Sequence, residues 1–389
     1  MTRVATRRNR TRILHLITGL GTGGAEMALY KLLSKLDGKL FDSVVISLSD
    51  SGSPVQERIE ALGVPVYSLS MQPGRPTPAA AWRLIRRLYK IRPNLIHGWM
   101  NHANLVATLA SASLLKRVPV VWGIRQSLDL KAEEKLAGMI IRIGALLSAW
   151  PERILYVSRV AANQHEAIGY RADRRFVIPN GFDCERFQPD TGARASVRAE
   201  LGLGEETPLI GLIAVYRPMK DHANFLAAAS LLMKQGSTTH FLLAGYGVDY
   251  SNKELSSKVS TLNLRDRVHL LGERHDIPRL SAALDIGCSS SSWGEGFPNV
   301  VGEAMACGVP CVVTDVGDSP WIVGETGWVV PPRDPVALAE AWGSALRMGR
   351  GARTELGERA RVRIVANFSI DEAVRQYEEL YREVINGTH

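Results

Sequence analysis

The chain has 389 residues, 46% of them hydrophobic and 22% charged, enough apolar material for sizeable cores and too much length for one ordinary domain. That balance excludes wholesale disorder. A disulfide scaffold is excluded as well, because the four cysteines (Cys184, Cys288, Cys307, Cys311) show neither metal-ligand spacing nor a dithiol motif and fit a reducing compartment. Lys and Arg number 47 against 39 Asp and Glu, a net charge of +8 that suits an anionic partner: nucleic acid, a membrane surface or a phosphorylated small molecule.

The start, with Arg3, Arg7, Arg8, Arg10 and Arg12, is expected to be a flexible basic tail. The apolar run behind it breaks at once into Gly19, Gly21, Gly23 and Gly24, unlike a signal peptide. Strands are expected at 13–17, 43–48, 65–69, 95–98, 118–122, 153–157 and 176–178 in the first half. In the second half they are expected at 209–215, 240–244, 268–271, 286–289, 310–314 and 327–330. Alternation of these runs with helix-length segments predicts an α/β protein with a doubly wound parallel sheet in each half. The stretch 180–203 reads as an interdomain linker, giving domains at 1–190 and 191–368. A last helix over 369–389 should open with a capping box, Ser369 and Glu372, and bury Ile370, Val374, Tyr377, Tyr381 and Val384. No apolar stretch reaches the 18 residues or so that a membrane span needs, so membrane contact is expected to be peripheral at most.

Five segments carry candidate chemistry. In "HLITGLGTGGAE", Gly19, Gly21 and Gly24 satisfy a dinucleotide fingerprint, but the expected acid is late: only Asp50 follows the second strand. The loop is either a phosphate-approaching one or a tight turn. The segment "AAAWRLIRRLYKIRP" predicts a helix with Trp82, Ile85 and Leu88 or Tyr89 on one face and Arg83, Arg86, Arg87, Lys90 and Arg92 around the other. It is either a membrane-facing surface or an ordinary basic solvent face. "HGWMNHANLVA" places His102 at the start of a helix, free to serve a sugar hydroxyl or to be structural. "GLIAVYRPMKDH" leaves Arg217 and Lys220 at a strand exit, where cations can neutralise a leaving diphosphate or form a solvated turn.

The strongest cluster is "CSSSSWGEGFPNVVGEAMACGVP". A Ser- and Gly-rich loop follows a strand, Pro298 suits the first turn of a helix, and Gly308 and Pro310 stop it. Glu295 then lies before the helix and Glu303 on its second turn. The N–H groups from Phe297 to Val301 lie between them, a place for a phosphate whose attached hydroxyls the carboxylates can bind. The alternative makes Glu295 a dipole-stabilising acid and Glu303 a solvated helix residue. No Asp-x-Asp pair occurs in the chain, so the common acidic seat for a metal-bound nucleotide diphosphate is missing and a metal-free site is expected.

Together, "GTGGAE", "WMNHANL", "YVSRVAANQH", "FVIPNGFDCERFQPD", "RPMKDH" and "EGFPNVVGEAMACGVPCV" resemble the retaining glycosyltransferase family 4, a resemblance covering most of the chain. Glu295 and Glu303, with seven residues between them, are its most specific mark. The resemblance implies a GT-B fold, two Rossmann-like domains facing a central cleft, and transfer of a sugar with retention from a UDP- or GDP-sugar to a glycan or lipid-linked acceptor. It implies that Glu303 binds the ribose and Glu295 the donor sugar. Backbone groups of Phe297, Pro298, Asn299 and Val300, with the loop at Gly23 and Gly24, would hold diphosphate and sugar. Lys220 would compensate the leaving diphosphate, and His102 would lie near the transferred sugar. The family arginine five residues before the lysine is Val215 here, and Arg217 is the candidate replacement.

The base is expected near Glu273 and Arg274. Residues 1–190 carry 27 basic and 15 acidic side chains, whereas 191–389 carry 20 and 24, so the positive excess lies on the expected acceptor side. It points to the acceptor or an anionic membrane surface, and to a cytoplasmic protein that is peripheral on the inner face if it meets the membrane. Nucleic acid is not an expected partner, because no binding module accompanies the basic residues. Two rivals remain: a non-catalytic nucleotide-binding GT-B subunit, and an NAD-dependent oxidoreductase using the glycine fingerprint.

Overall fold

The apolar runs expected to be strands form them. A computed structural model describes residues 10–21, 23–49, 52–71, 77–128 and 135–387, so Arg3, Arg7, Arg8 and Asp50 lie outside the described residues. The chain divides into two units, Met1–Gly181 with Ile370–His389, and Phe182–Ser369.

The first unit holds β1 (Thr11–Ile17), α1 (Gly24–Lys35), β2 (Phe41–Ser47), α2 (Pro54–Ala61), β3 (Val66–Ser68), α3 (Pro78–Ile91) and β4 (Leu95–Trp99). It continues through α4 (Asn101–Ala112), β5 (Val120–Ile124), α5 (Lys135–Leu147), β6 (Arg153–Tyr156), α6 (Arg159–Ala167) and β7 (Arg175–Val177). Its strands run in the order β3-β2-β1-β4-β5-β6-β7, parallel throughout. The order reverses between β1 and β4, a switch point at which loops diverge from the C-terminal strand ends. Arg12, expected in the flexible tail, belongs instead to β1, where its guanidinium pairs with Asp42 at 2.7 Å and reaches the Ile91 carbonyl at 2.7 Å.

Side-chain alternation along β1 feeds two cores. Leu14 and Leu16 join residues of α3 to α6, while Ile13 and Ile17 join α1, α2 and the C-terminal helix Ile370–Asn386. The helix starts are locally encoded. Ser53 and Thr77 accept from the backbone N–H of Gln56 and Ala80, with Pro54 and Pro78 in the first turns that follow. In α3 it is Leu84, Leu88 and Ile91 that enter the core, so of the two alternatives it is Tyr89, not Leu88, that shares the exposed face with Trp82 and Ile85. The C-terminal helix buries Ile370, Val374, Tyr377, Tyr381 and Val384, the face its periodicity predicts.

That helix covers a buried aromatic and imidazole cluster. His15 on β1 and His97 on β4 are register partners. The Tyr381 hydroxyl bonds His97 Nδ1 at 2.8 Å, and Trp99 Nε1 donates to His15 Nδ1 at 3.3 Å. Burial holds His15 at about 3 and pushes His97 well down, helped by His15 and the Arg125 cation. Both rings are therefore neutral at pH 7, as a cluster this dry requires.

The second unit holds α7 (Thr191–Glu200), β8 (Leu209–Ile213), α8 (His222–Lys234), β9 (His240–Ala244), α9 (Lys253–Thr261), β10 (Val268–Leu270) and α10 (Ile277–Ala283). After these come β11 (Ile286–Ser289), α11 (Asn299–Ala306), β12 (Cys311–Thr314), α12 (Ser319–Val323), β13 (Gly327–Val330), α13 (Pro335–Arg347) and α14 (Gly349–Phe368). Its sheet is β10-β9-β8-β11-β12-β13, again all parallel, with the switch point between β8 and β11.

The segment read as a linker is largely structured. Asp190 caps α7 by accepting from Ala193 N at 3.0 Å, and the helix buries Ala193, Val197 and Arg198. Arg198 reaches Asp285 at 2.6 Å, and Arg194 reaches it at 2.9 Å. Two arginines on a buried face hid the helix's periodicity, because their burial depends on a carboxylate far along the chain.

Candidate active site

In the second unit the chain leaves β8 through Arg217 and a short turn, Pro218–Lys220. Asp221 follows in a left-handed conformation (φ 47°, ψ 55°) and caps α8 through Asn224 N. Across the switch point, β11 runs into a serine-rich loop. Ser290 Oγ donates to the Lys220 carbonyl at 2.8 Å, Ser292 N donates to the Met219 carbonyl at 2.8 Å, and Thr314 Oγ1 donates to the Ser291 carbonyl at 2.6 Å. The two loops are thereby stitched together.

This stitching brings Lys220 and Glu295 into contact. Glu295 is buried, and one carboxylate oxygen takes both the Lys220 ammonium, as an ion pair, and the Ser291 hydroxyl at 2.6 Å. Gly317 lets the chain approach its backbone closely: φ there is +60°, and a Cβ would stand 2.5 Å from the Glu295 carbonyl. One ammonium proton satisfies Glu295, leaving two for a ligand, and the second carboxylate oxygen remains an acceptor.

Glu303 stands on the second turn of α11, as expected, but Pro298 is the N-cap rather than a residue of the first turn. The helix start offers backbone N–H groups with no acceptor inside the helix, and its dipole favours an anion. Phe297, included among the donor-binding positions for its backbone, sends its ring into an aromatic cluster with Phe182, Trp321 and Phe368, at 5.6–5.9 Å between centroids. Its side chain thus anchors α11.

The other two cations differ. Arg217 is exposed and makes no ion pair among the described residues. Arg274 is not brought to the Lys220–Glu295 pair. Its guanidinium forks onto Asp276 with two bonds of 2.8 Å and reaches Glu200 at 2.8 Å. Those carboxylates raise the Arg274 pKa and hold Asp276 low.

In the first unit Gly23 is the N-cap of α1 and Gly24 its first residue. A Cβ at Gly23 would meet the Glu26 carboxylate at 2.5 Å, whereas Gly24 faces open space within 4 Å, room for a ligand to approach the backbone. At the exit of β4, Met100 adopts φ 72° and ψ 162°, a region nearly reserved for glycine. His102 follows in the first turn of α4, and burial lowers its pKa, favouring the neutral ring. A pocket of about 190 Å³ is lined by Thr18, Met100, Asn101, His102, Arg125 and Gln126, with α5 closing one side.

Sequence reasoning missed Arg125 and Ser291. Arg125 sits over the Trp99 ring at 5.5 Å, donates to Tyr377 and Asn180, and has no carboxylate partner among the described residues. Its place just beyond β5 in "VWGIRQ" was the available signal, since a cation at a strand's C-terminal edge lies where open α/β sheets bind ligands.

Comparison with known proteins agrees with this geometry. The family described as Glycosyltransferase Family 4 matches residues 22–186, and that described as Glycosyl transferases group 1 matches residues 207–348. The chain belongs to the family 4, group 1 glycosyltransferases. Among its relatives, this glycosyltransferase is 25% identical to the putative glycosyltransferase EpsF of Bacillus subtilis, over 79% of this chain and 80% of that one. It is 27% identical, over 54% of each chain, to the Escherichia coli UDP-Gal:α-D-GlcNAc-diphosphoundecaprenol α-1,3-galactosyltransferase. Anabaena HepE in complex with UDP superposes with a TM-score of 0.83 over 96% of this chain and 100% of that one, at 23% identity. That likeness shows the fold, the expected GT-B type. Membership removes the oxidoreductase rival.

Proposed function

We propose that this glycosyltransferase moves a sugar from a uridine diphospho-sugar to a hydroxyl of a lipid-linked or polymeric glycan, with retention at the anomeric carbon and without a metal ion. The observation that carries the reading is the Lys220–Glu295–Ser291 contact at the switch point of the second sheet, beside the loop leading into α11. UDP is favoured because HepE, one of the structural neighbours, is complexed with it. The lipid-linked acceptor is favoured by the diphosphoundecaprenol substrate in the Escherichia coli relative's name.

In this reading the C1–O bond to the diphosphate lengthens while Lys220, Arg217 and the first N–H groups of α11 take up the growing negative charge. The electron pair of that bond leaves with the phosphate oxygen. The acceptor hydroxyl attacks C1 from the same face and passes its proton to that oxygen. Glu295 accepts hydrogen bonds from the sugar hydroxyls, and Glu303 from those of the ribose. Neutral His102 serves the transferred sugar, and the Arg125 guanidinium holds an anionic group of the acceptor.

Three measurements test this. In a thermal-shift titration UDP should stabilise the protein more than GDP, and in the presence of EDTA UDP-sugars should still be turned over with a retained anomer. Nucleotide binding without turnover of any donor would favour the non-catalytic rival. Third, Arg217→Ala should lower kcat about tenfold, about 1.4 kcal/mol of transition-state stabilisation. Unchanged turnover would remove Arg217 from the mechanism and leave Lys220 as the sole compensating side chain.

A further inference from the structure

The outer surface of the α3–α4–α5 layer combines cations with exposed apolar side chains. These helices lie on one face of the first sheet, with α4 between α3 and α5, and their inward residues share one core. The described residues 77–128 and 135–150 contain ten Lys and Arg and no Asp or Glu. Asp129, Glu133 and Glu134, from the same stretch of chain, lie outside the described residues. Part of the positive excess of the first half is therefore concentrated on this layer.

The same layer exposes large apolar side chains in order. On α5 and the turn after it, Leu136, Met139, Ile143, Leu146 and Trp150 are all exposed, Leu146 at 84%. Steps of three and four residues place them on one stripe, while Ile141 and Gly144 face inward. The helix is apolar on both sides, which water does not explain. On α3, Trp82, Ile85 and Tyr89 form a second exposed stripe, with Trp82 at 60%. Leu115, just beyond α4, is 96% exposed. Arginines frame the aromatic rings: the Arg86 guanidinium lies 5.4 Å from the Trp82 centroid and Arg117 lies 5.3 Å from that of Trp150. Aromatic rings beside cations, next to aliphatic side chains, match the boundary between lipid headgroups and acyl chains.

We infer that the α3–α4–α5 face docks on an anionic lipid bilayer, with the α5 stripe entering the acyl boundary and the α3 cations binding headgroup phosphates. A second copy is the weaker occupant, because a two-fold contact through this face would set one cationic surface against another with no described carboxylate to compensate. Among the described residues no helix is long and apolar enough to cross a membrane, so the contact is peripheral. The inference does not rest on the donor chemistry proposed above.

The test is flotation of the full chain with phosphatidylcholine vesicles, with and without phosphatidylglycerol, in the absence of donor and acceptor. Binding should require the anionic lipid and weaken with salt. Leu146→Glu with Met139→Glu should reduce it at least tenfold, and so should Arg86→Glu with Lys90→Glu, each with an unchanged melting temperature. Wild-type protein that stays with the soluble fraction would overturn the inference. So would variants that float like the wild type, or lipid-free self-association abolished by Leu146→Glu, which would assign the face to a second copy. Because no sugar is transferred in this assay, its outcome is separate from the success or failure of the proposed reaction.

Discussion

Lys220→Ala should lower donor turnover about 10²- to 10³-fold, the size of effect expected when one charged group that stabilises a developing anion is removed. The same substitution should destabilise the second unit by about 2–4 kcal/mol. Both follow from one contact. Glu295 is buried, and its carboxylate oxygen is satisfied by the Lys220 ammonium and the Ser291 hydroxyl. Removing Lys220 leaves a desolvated carboxylate with a single neutral donor. Lys220 is itself a fifth exposed, so water can partly replace it, which keeps the cost toward the lower part of the range.

A double substitution, Lys220→Ala with Glu295→Gln, separates the two effects. Removing the orphaned charge should restore most of the lost stability, read as the midpoint of urea unfolding, while turnover stays low. Recovery of neither would mean that Lys220 supports the loop by packing alone. Full activity in the single variant would show that the leaving diphosphate is compensated elsewhere, and Arg217 and the start of α11 would have to carry it.

The sheets and the site differ in how legible they were. Parallel strands buried on both faces read as short runs such as "LIGLI" and "HFLLA", so period and composition sufficed to place them. Glu295, Lys220 and His102 were legible as candidates because each lies in the segment that follows a strand end, and strand ends at a switch point are where such sheets bind ligands. What was not legible depends on partners far apart in sequence. Arg274 looks like any loop arginine until Glu200 is placed beside it. Helix α7 looks like a charged linker until Asp285 accepts its two arginines. In α3 the sequence offers two apolar stripes, Leu84, Leu88 and Ile91 against Trp82, Ile85 and Tyr89. The structure buries the first and exposes the second. The larger residues ended outside, the reverse of what burial preference alone would choose.

Gly302 is the sharpest case of a site residue without a sequence signal, since a glycine inside a helix reads only as weak helix propensity. It sits on α11 immediately before Glu303, and a Cβ there would stand 2.1 Å from the Phe182 ring. Phe182 is buried and stacks on Phe297 at 5.8 Å between centroids, so the ring has no free direction in which to yield. Gly302→Ala should therefore push α11 away from Phe182 and cost about 1–3 kcal/mol, the usual penalty of overpacking a filled core. The small helix-propensity gain from alanine does not offset it. Because the displaced helix carries Glu303 and presents its first N–H groups to the proposed diphosphate site, UDP affinity should fall with stability, by about tenfold for each 1.4 kcal/mol of lost binding. Phe182→Leu in the same chain removes the ring atoms that the new methyl strikes. The double variant should then be more stable than Gly302→Ala alone and should regain UDP binding, a non-additivity expected only of residues in direct contact. If Gly302→Ala melts and binds UDP like the wild type, the helix moves freely over Phe182, and the aromatic cluster does not set the position of Glu303.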